Sequence, residues 1–227
     1  MTTPTQKATD RGSILAGFSG VSGRILVLAI LTSALTGPGQ TIGVSVFIDH
    51  FVDDLDLSRS AVSTAYLVGT LTGALILPSV GSFVDRRGVR ITQIIVGTLF
   101  ALALVNMSFV NGLVWLAIGF TGIRLLGQGS LSLVSTVTVS IRFVRNRGTA
   151  LGVFAVFSNA LMALTPVALA LLIAQFGWRS TWVIAAVFVF VTVVPIAWFG
   201  LRPMPTGPPE VPRTHESLVP DRNTSYD

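Results

Sequence analysis

The chain has 227 residues and a mass of 24.0 kDa, is 51% hydrophobic and only 11% charged, and has a mean hydropathy of +0.76. Soluble domains carry about 25% charged residues, so this composition excludes a water-soluble globular domain and makes lipid the solvent for most of the chain. The net charge of +5 comes without a basic run interleaved with aromatics, which argues against nucleic acid; the absence of cysteine and the distance between His50 and His215 exclude disulfides, thiol chemistry and a zinc site, and no cofactor is called for.

Residues 1–23 are polar and rich in Pro, Gly, Ser and Thr, and read as a tail. Within them, GFSG at 17–20 matches the Gly-x-Ser-Gly of intramembrane serine proteases. That chemistry needs the serine at an intramembrane helix start and a histidine base on another helix. Ser19 lies in the tail and no apolar segment holds a histidine, so no enzyme is expected.

A bilayer core about 30 Å thick needs roughly 20 apolar residues of helix. Six segments meet that length: 25–48, 61–84, 91–110, 113–139, 148–176 and 181–201. Barrel strands of about 10 residues with alternating polarity are absent. The first segment is too long for the roughly 7–15-residue apolar region of a signal peptide and no clean cleavage site follows it, so it reads as a retained helix. It contains Gly37-Pro38-Gly39, which should loosen the backbone and free carbonyls. Broken helices line solute sites in transporters, which makes Gln40 and Thr41 candidate cavity residues; a kink used only for packing is the alternative.

In the second segment Gly69 and Gly73 are spaced as a helix-packing face. Asn111-Gly112 separates the third segment from the fourth. The fourth holds Arg124, alone among ionisable residues in lying deep within an apolar run. Burying it costs at least about 2.5 kcal/mol, so it must face protein or a wet cavity. Gln128 follows four residues on, on the same helical face. The two offer donors to an anionic solute; the bland alternative is a structural arginine bonded to a neighbouring helix. Asn159 and Thr165-Pro166 in the fifth segment are further cavity candidates. Gly177-Trp178-Arg179 breaks the fifth segment from the sixth. Trp115, Trp178, Trp182 and Trp198 lie near segment ends, as interfacial anchors do. Residues 202–227 read as a second, linker-like tail, which leaves 24–201 as the membrane bundle.

Placing the N-terminus in the cytoplasm puts Lys7, Arg11, Arg24, Arg86, Arg87, Arg90, Arg142, Arg145, Arg147, Arg202, Arg213 and Arg222 inside, and only Arg59 and Arg179 outside. Basic residues collect on the cytoplasmic side, so both termini are expected there, in a multi-pass protein of the cell's inner (plasma) membrane. The acidic residues Asp49, Asp53, Asp54 and Asp56 then fall in an outside loop.

GSFVDRRGVR, residues 81–90, makes a tight charged turn between the second and third segments. Gly81 permits close approach of a neighbouring helix, Asp85 stands at a helix end, Arg86, Arg87 and Arg90 anchor the turn, and Gly88 supplies the positive φ of a short reversal. By composition alone an ordinary basic loop explains it equally well. The spacing, however, resembles the major facilitator superfamily signature Gly-x-x-x-Asp-Arg-x-Gly-x-Arg. Gly81, Asp85, Arg86, Gly88 and Arg90 match it, and Val89 departs where a basic residue is usual. Arg124-Leu-Leu-Gly-Gln128-Gly resembles the family's Arg-x-x-x-Gln-Gly element. RFVRNRGTALG (142–152), FGWRS (176–180) and GPGQTIGVSVF (37–47) resemble the monocarboxylate/oxalate–formate branch, although the intramembrane lysine and acidic-Gly-aromatic motif of its animal members are absent.

The resemblance implies an all-α polytopic bundle of six transmembrane helices, arranged as two inverted three-helix repeats and equal to half of a twelve-helix transporter. It implies secondary transport of a small solute, here an organic anion such as a monocarboxylate. Gly81, Asp85, Arg86, Gly88 and Arg90 would form a conformational latch. Arg124, Gln128, Gln40, Thr41 and Asn159 would line the solute path. The partners would be the lipid bilayer, the solute and a second six-helix half; the alternative is a truncated or non-transporting membrane protein.

Overall fold

The computed structural model describes residues 20–201. The second tail, and the first up to Ser19, therefore lie outside the described residues, while Gly20 already begins a helix, Gly20–Ala34. Three helical stretches are long and apolar enough to cross a membrane: Gly20–Gly39, Arg59–Ser108 and Arg147–Gly200. Two of them are bent at a glycine. Gly88 has φ 76° and ψ 163°, and Gly177 has φ 76° and ψ 161°. Both lie in a region open essentially to glycine alone.

Contacts give the direction of each piece. Gly69 packs on Phe120 and Thr121, Gly73 on Leu125, and Gly129 on Leu77, so residues 59–87 run parallel to 113–131. Met107 meets Gly119, Ala103 meets Gly122 and Phe100 meets Gly127, so 89–108 run antiparallel to the same helix. The chain therefore reverses at Gly88. Arg90 reaches Trp198, Gly97 packs on Val193 and Arg179 reaches Ser108, so 178–200 are antiparallel to 89–108. Thr32 meets Gln93 and Gly39 packs on Phe100, which sets the first piece parallel to the third; Leu26 and Ala29 cluster with Ala150 and Phe154 while Gly37 packs on Thr165, which sets the fifth parallel to the first. A second reversal therefore falls at Gly177. Among the described residues this makes six helical limbs of alternating direction: 20–54, 59–87, 89–108, 113–142, 147–176 and 178–200.

The limbs also repeat. The shift that carries Gly88 onto Gly177 carries Arg90 onto Arg179. It carries the 3-10 turn Gly37–Gly39 of the first limb into the π-helical segment Arg124–Leu131 of the fourth, and brings Pro78 beside Pro166. The first three limbs and the last three thus deform at matching places.

The main core joins all six limbs and is aromatic towards the Gly177 end. Trp182 stacks on Phe47 at 4.1 Å, and Phe51 meets Phe120 and Trp178 edge-on at 5.8 and 5.4 Å. Trp178 and Trp182 are buried there, which corrects their reading as interfacial anchors. Proximity to a segment end does not fix depth when the next limb folds back over that end. Trp115 and Trp198 are exposed. The outer surface is apolar, with Leu75, Val114 and Phe199 projecting outward at 83%, 75% and 74% exposure. Water would reject such a surface and a hydrocarbon solvent accepts it.

Candidate functional site: an arginine at the broken limbs

Two irregular backbones meet where the first and fourth limbs cross. The 3-10 turn Gly37–Gly39 brings Gly39 against the carbonyl of Ile123, and the Phe100 ring fills the gap between Gly39 and Gly127. A side chain at either glycine would collide with that ring. The fourth limb turns from α into π geometry at Arg124 and returns to α at Ser132. Single π turns inside helices widen the backbone and recur at functional sites. Ser130 Oγ donates to the Leu125 carbonyl at 2.7 Å and so occupies an acceptor in the irregular stretch.

Arg124 is only 9% exposed. Its Nε donates to Thr70 Oγ1 at 3.1 Å and its Nη1 to Thr41 Oγ1 at 3.3 Å. Thr41 Oγ1 shares a hydrogen bond of 2.7 Å with the Tyr66 hydroxyl. The guanidinium centre stands 4.9 Å from the Tyr66 ring centroid, and Phe120 holds that ring edge-on at 5.4 Å. Hydroxyls and a π-face thus satisfy the geometry of the guanidinium without neutralising its charge. A cavity of about 120 Å³ opens beside it, lined by Thr70, Gly73, Ala74, Leu77, Arg124, Gln128 and Gly129. No carboxylate is in that lining. Gln128 Oε1 is buried there without a hydrogen-bond partner. A larger cavity, about 310 Å³, lies between the first, fifth and sixth limbs, but its lining is apolar apart from the Thr165 hydroxyl and offers a solute no charge.

Of the residues expected to line a solute path, Thr41, Arg124 and Gln128 come together. Gln40 and Asn159 do not join them. Gln40 Nε2 donates to Thr36 Oγ1 at 3.0 Å, and Asn159 is exposed and donates to the Ala155 carbonyl at 2.8 Å. Neither lines the cavity, because the 3-10 turn rotates Gln40 back over its own helix and Asn159 sits on an outward face. Tyr66 and Thr70 were not anticipated. Their signal is positional: they lie one turn apart beside Gly69 and Gly73, whose packing carries them against the fourth limb.

The residues of the charged turn divide into two groups. Asp85 and Arg86 are exposed and make no hydrogen bond or ion pair among the described residues. Arg87, also exposed, stands over the Phe83 ring at 5.9 Å. Arg90 instead donates from Nη2 to the Trp198 carbonyl at 2.9 Å and stands over the Trp198 ring. No neighbouring helix of the described bundle would come within 4 Å of a Cβ at Gly81, so the close approach expected there is not made within this bundle. That face of the second limb, with Leu75 and Pro78, is exposed.

The described residues thus form a bundle of apolar helices broken at matched points, with an arginine at the break that meets hydroxyls and a ring. The profile of the Major Facilitator Superfamily matches residues 14–223, and the chain belongs to that superfamily. Membership makes it an integral membrane protein of a family that moves small solutes across membranes and is not an enzyme family. No curated relative matches the chain.

Proposed function

We propose that the protein carries a small organic anion, of the monocarboxylate kind, by alternating access, with Arg124 as the anion-binding group. The observation that carries this reading is the buried guanidinium, which faces a small cavity whose polar side chains are Thr70, Arg124 and Gln128, with no carboxylate in its lining. A permanent charge held in an apolar bundle is costly unless an anion or water meets it. Thr41, Tyr66 and Thr70 orient the guanidinium, and Gln128 adds an amide to the same wall. In this reading the chain crosses the inner membrane six times with both termini cytoplasmic, in line with its basic-residue bias.

Alternating access rocks one bundle against another, so the working unit includes a second six-helix bundle, on the same or another polypeptide. The exposed apolar faces of the second limb (Leu67, Leu71, Leu75) and the fifth (Phe157, Leu161, Leu164) support such a partner. Asp85 and Arg86, unpaired within their own bundle, form the latch that meets it, with Gly81 keeping that face low and Gly88 making the turn.

The test is binding and uptake of radiolabelled monocarboxylates by the full chain in liposomes, with Arg124→Ala alongside. Charge-assisted hydrogen bonds contribute about 1.5–3 kcal/mol, so the variant is expected to lose about ten- to hundred-fold in affinity. Equal binding by both proteins overturns the Arg124 site. Absence of binding in both overturns the anion site and favours a non-transporting membrane protein; absence of uptake alone does not, because uptake also needs the second bundle.

A further inference from the structure

Two arginines outside the anion site occupy matching positions and perform matching bonds. Each stands two residues after a glycine of positive φ: Arg90 after Gly88 and Arg179 after Gly177. Each therefore falls in the first turn of a helix. Side chains on a helix lean towards its N-terminus, so a first-turn arginine reaches back past the end of its own helix. There it meets the terminal carbonyls of an antiparallel neighbour, which have no partner within their own helix. Arg90, opening the third limb, donates to the Trp198 carbonyl at the end of the sixth, at 2.9 Å. Arg179, opening the sixth limb, donates from Nη1 to the Ser108 and Val110 carbonyls at the end of the third, at 2.8 and 2.9 Å. Each guanidinium also lies over an indole of the sixth limb, Trp198 at 5.4 Å and Trp178 at 4.2 Å. Gly97 packing on Val193 closes the interface between the two ends.

We propose that Arg90 and Arg179 are reciprocal positioning residues that clamp the third and sixth limbs to each other at opposite ends and hold them as one rigid strut. The consequence for the charged turn is a division of labour. Arg90, although it stands in the superfamily signature, is committed to its own bundle and belongs to the static frame. Only Asp85 and Arg86, just ahead of Gly88, are free to meet a partner bundle and switch. The division rests on the alternating-access reading above; the clamps themselves do not.

The experiment uses spin-label distance measurements on the full chain in lipid nanodiscs. The chain contains no cysteine, so label pairs enter a clean background. One pair, Ile91→Cys with Phe199→Cys, reports the Gly88 end; the other, Phe109→Cys with Ser180→Cys, reports the Gly177 end. All four positions are exposed. Arg90→Gln is expected to broaden the distance distribution at the first pair only, Arg179→Gln at the second pair only, and Asp85→Asn at neither. An unchanged distribution at the end whose arginine is replaced overturns the proposal. Broadening at both ends from one substitution also overturns it, because that reports general loosening. Should Arg90→Gln not be recovered folded, Arg90→Lys replaces it, with weaker broadening at the same end as the expected result; failure of the lysine variant to fold overturns the assignment as a local clamp. If the distances behave as expected while the anion-binding test fails, the clamps stand and the transport reading falls.

Discussion

The turns at Gly88 and Gly177 share a backbone but not an environment. Both have φ 76°, and ψ is 163° in one and 161° in the other. At Gly177 the flanking residue Trp178 is 5% exposed, packs edge-on against Phe51 and donates its Nε1–H to Asp54 Oδ2 at 2.5 Å. At Gly88 the flanking residues Asp85, Arg86 and Arg87 are exposed, and Val89 packs into a small cluster with Val84 and Val134. One end of the bundle is thus closed by its own aromatic core, and the other leaves charges outside. A glycine of positive φ is enough to reverse the chain, whereas the residues beside it decide whether the end is sealed or left to dock something else.

The comparison can be broken hardest at the sealed end. Trp178→Ala removes a buried aromatic from the core and is expected to cost about 3–5 kcal/mol, read as loss of stability in a mixed-micelle denaturation series. A loss below about 1 kcal/mol would show that the aromatic closure contributes little. Next in size are the turns themselves. Gly88→Ala and Gly177→Ala force an L-residue into glycine's region and should each cost on the order of 1–3 kcal/mol. Nothing lies within 4 Å of a Cβ on Gly177, so its penalty is purely conformational. Markedly unequal losses in the same denaturation series would deny the equivalence of the two turns.

Smaller effects sharpen the contrast. Trp178→Phe keeps an aromatic ring but loses the pyrrole half and its bond to Asp54, an expected change of about 1–2 kcal/mol. Asp85→Asn at the open end should leave bundle stability within about 0.5 kcal/mol yet alter the accessibility of cysteines introduced into the Arg124 cavity. A stability loss without any change of accessibility would make Asp85 a structural residue. A small effect is also expected at the exposed Asp49–Arg59 pair, 2.6 Å apart with side chains 68% and 70% exposed. Asp49→Asn should move stability by at most about 1 kcal/mol, and a larger loss would show that this loop is tied down by more than a solvated ion pair.

Much of the site was legible because burying a charge is expensive: Arg124 stood out in its apolar run, and helical spacing placed Gln128 with it. The packing role of Gly69 and Gly73 was also readable, since small residues at that spacing let helices approach. Tyr66 and Thr70 were not readable, because a hydroxyl on an apolar helix acquires a role only when a particular neighbour arrives. That Gln40 and Asn159 stand apart from the Arg124 cavity was not readable for the complementary reason. Their polarity marked them, but the direction of each side chain depends on a local turn and on which face the bundle leaves outward. The depths of Trp178 and Trp182 followed from the folding back of the sixth limb, not from distance along the chain.

By itself the sequence determined the solvent, the helical class, the superfamily signature and the residues unlikely to tolerate lipid, because these depend on composition and on short spacings that act within a turn or two. Tertiary structure decided which hydroxyls hold the guanidinium, which tryptophans lie inside, and which arginine of the charged turn is spent on its own bundle. Those outcomes rest on contacts between limbs far apart in sequence, such as Arg90 with Trp198 and Arg179 with Ser108, and such contacts exist only once antiparallel helices have come to rest side by side.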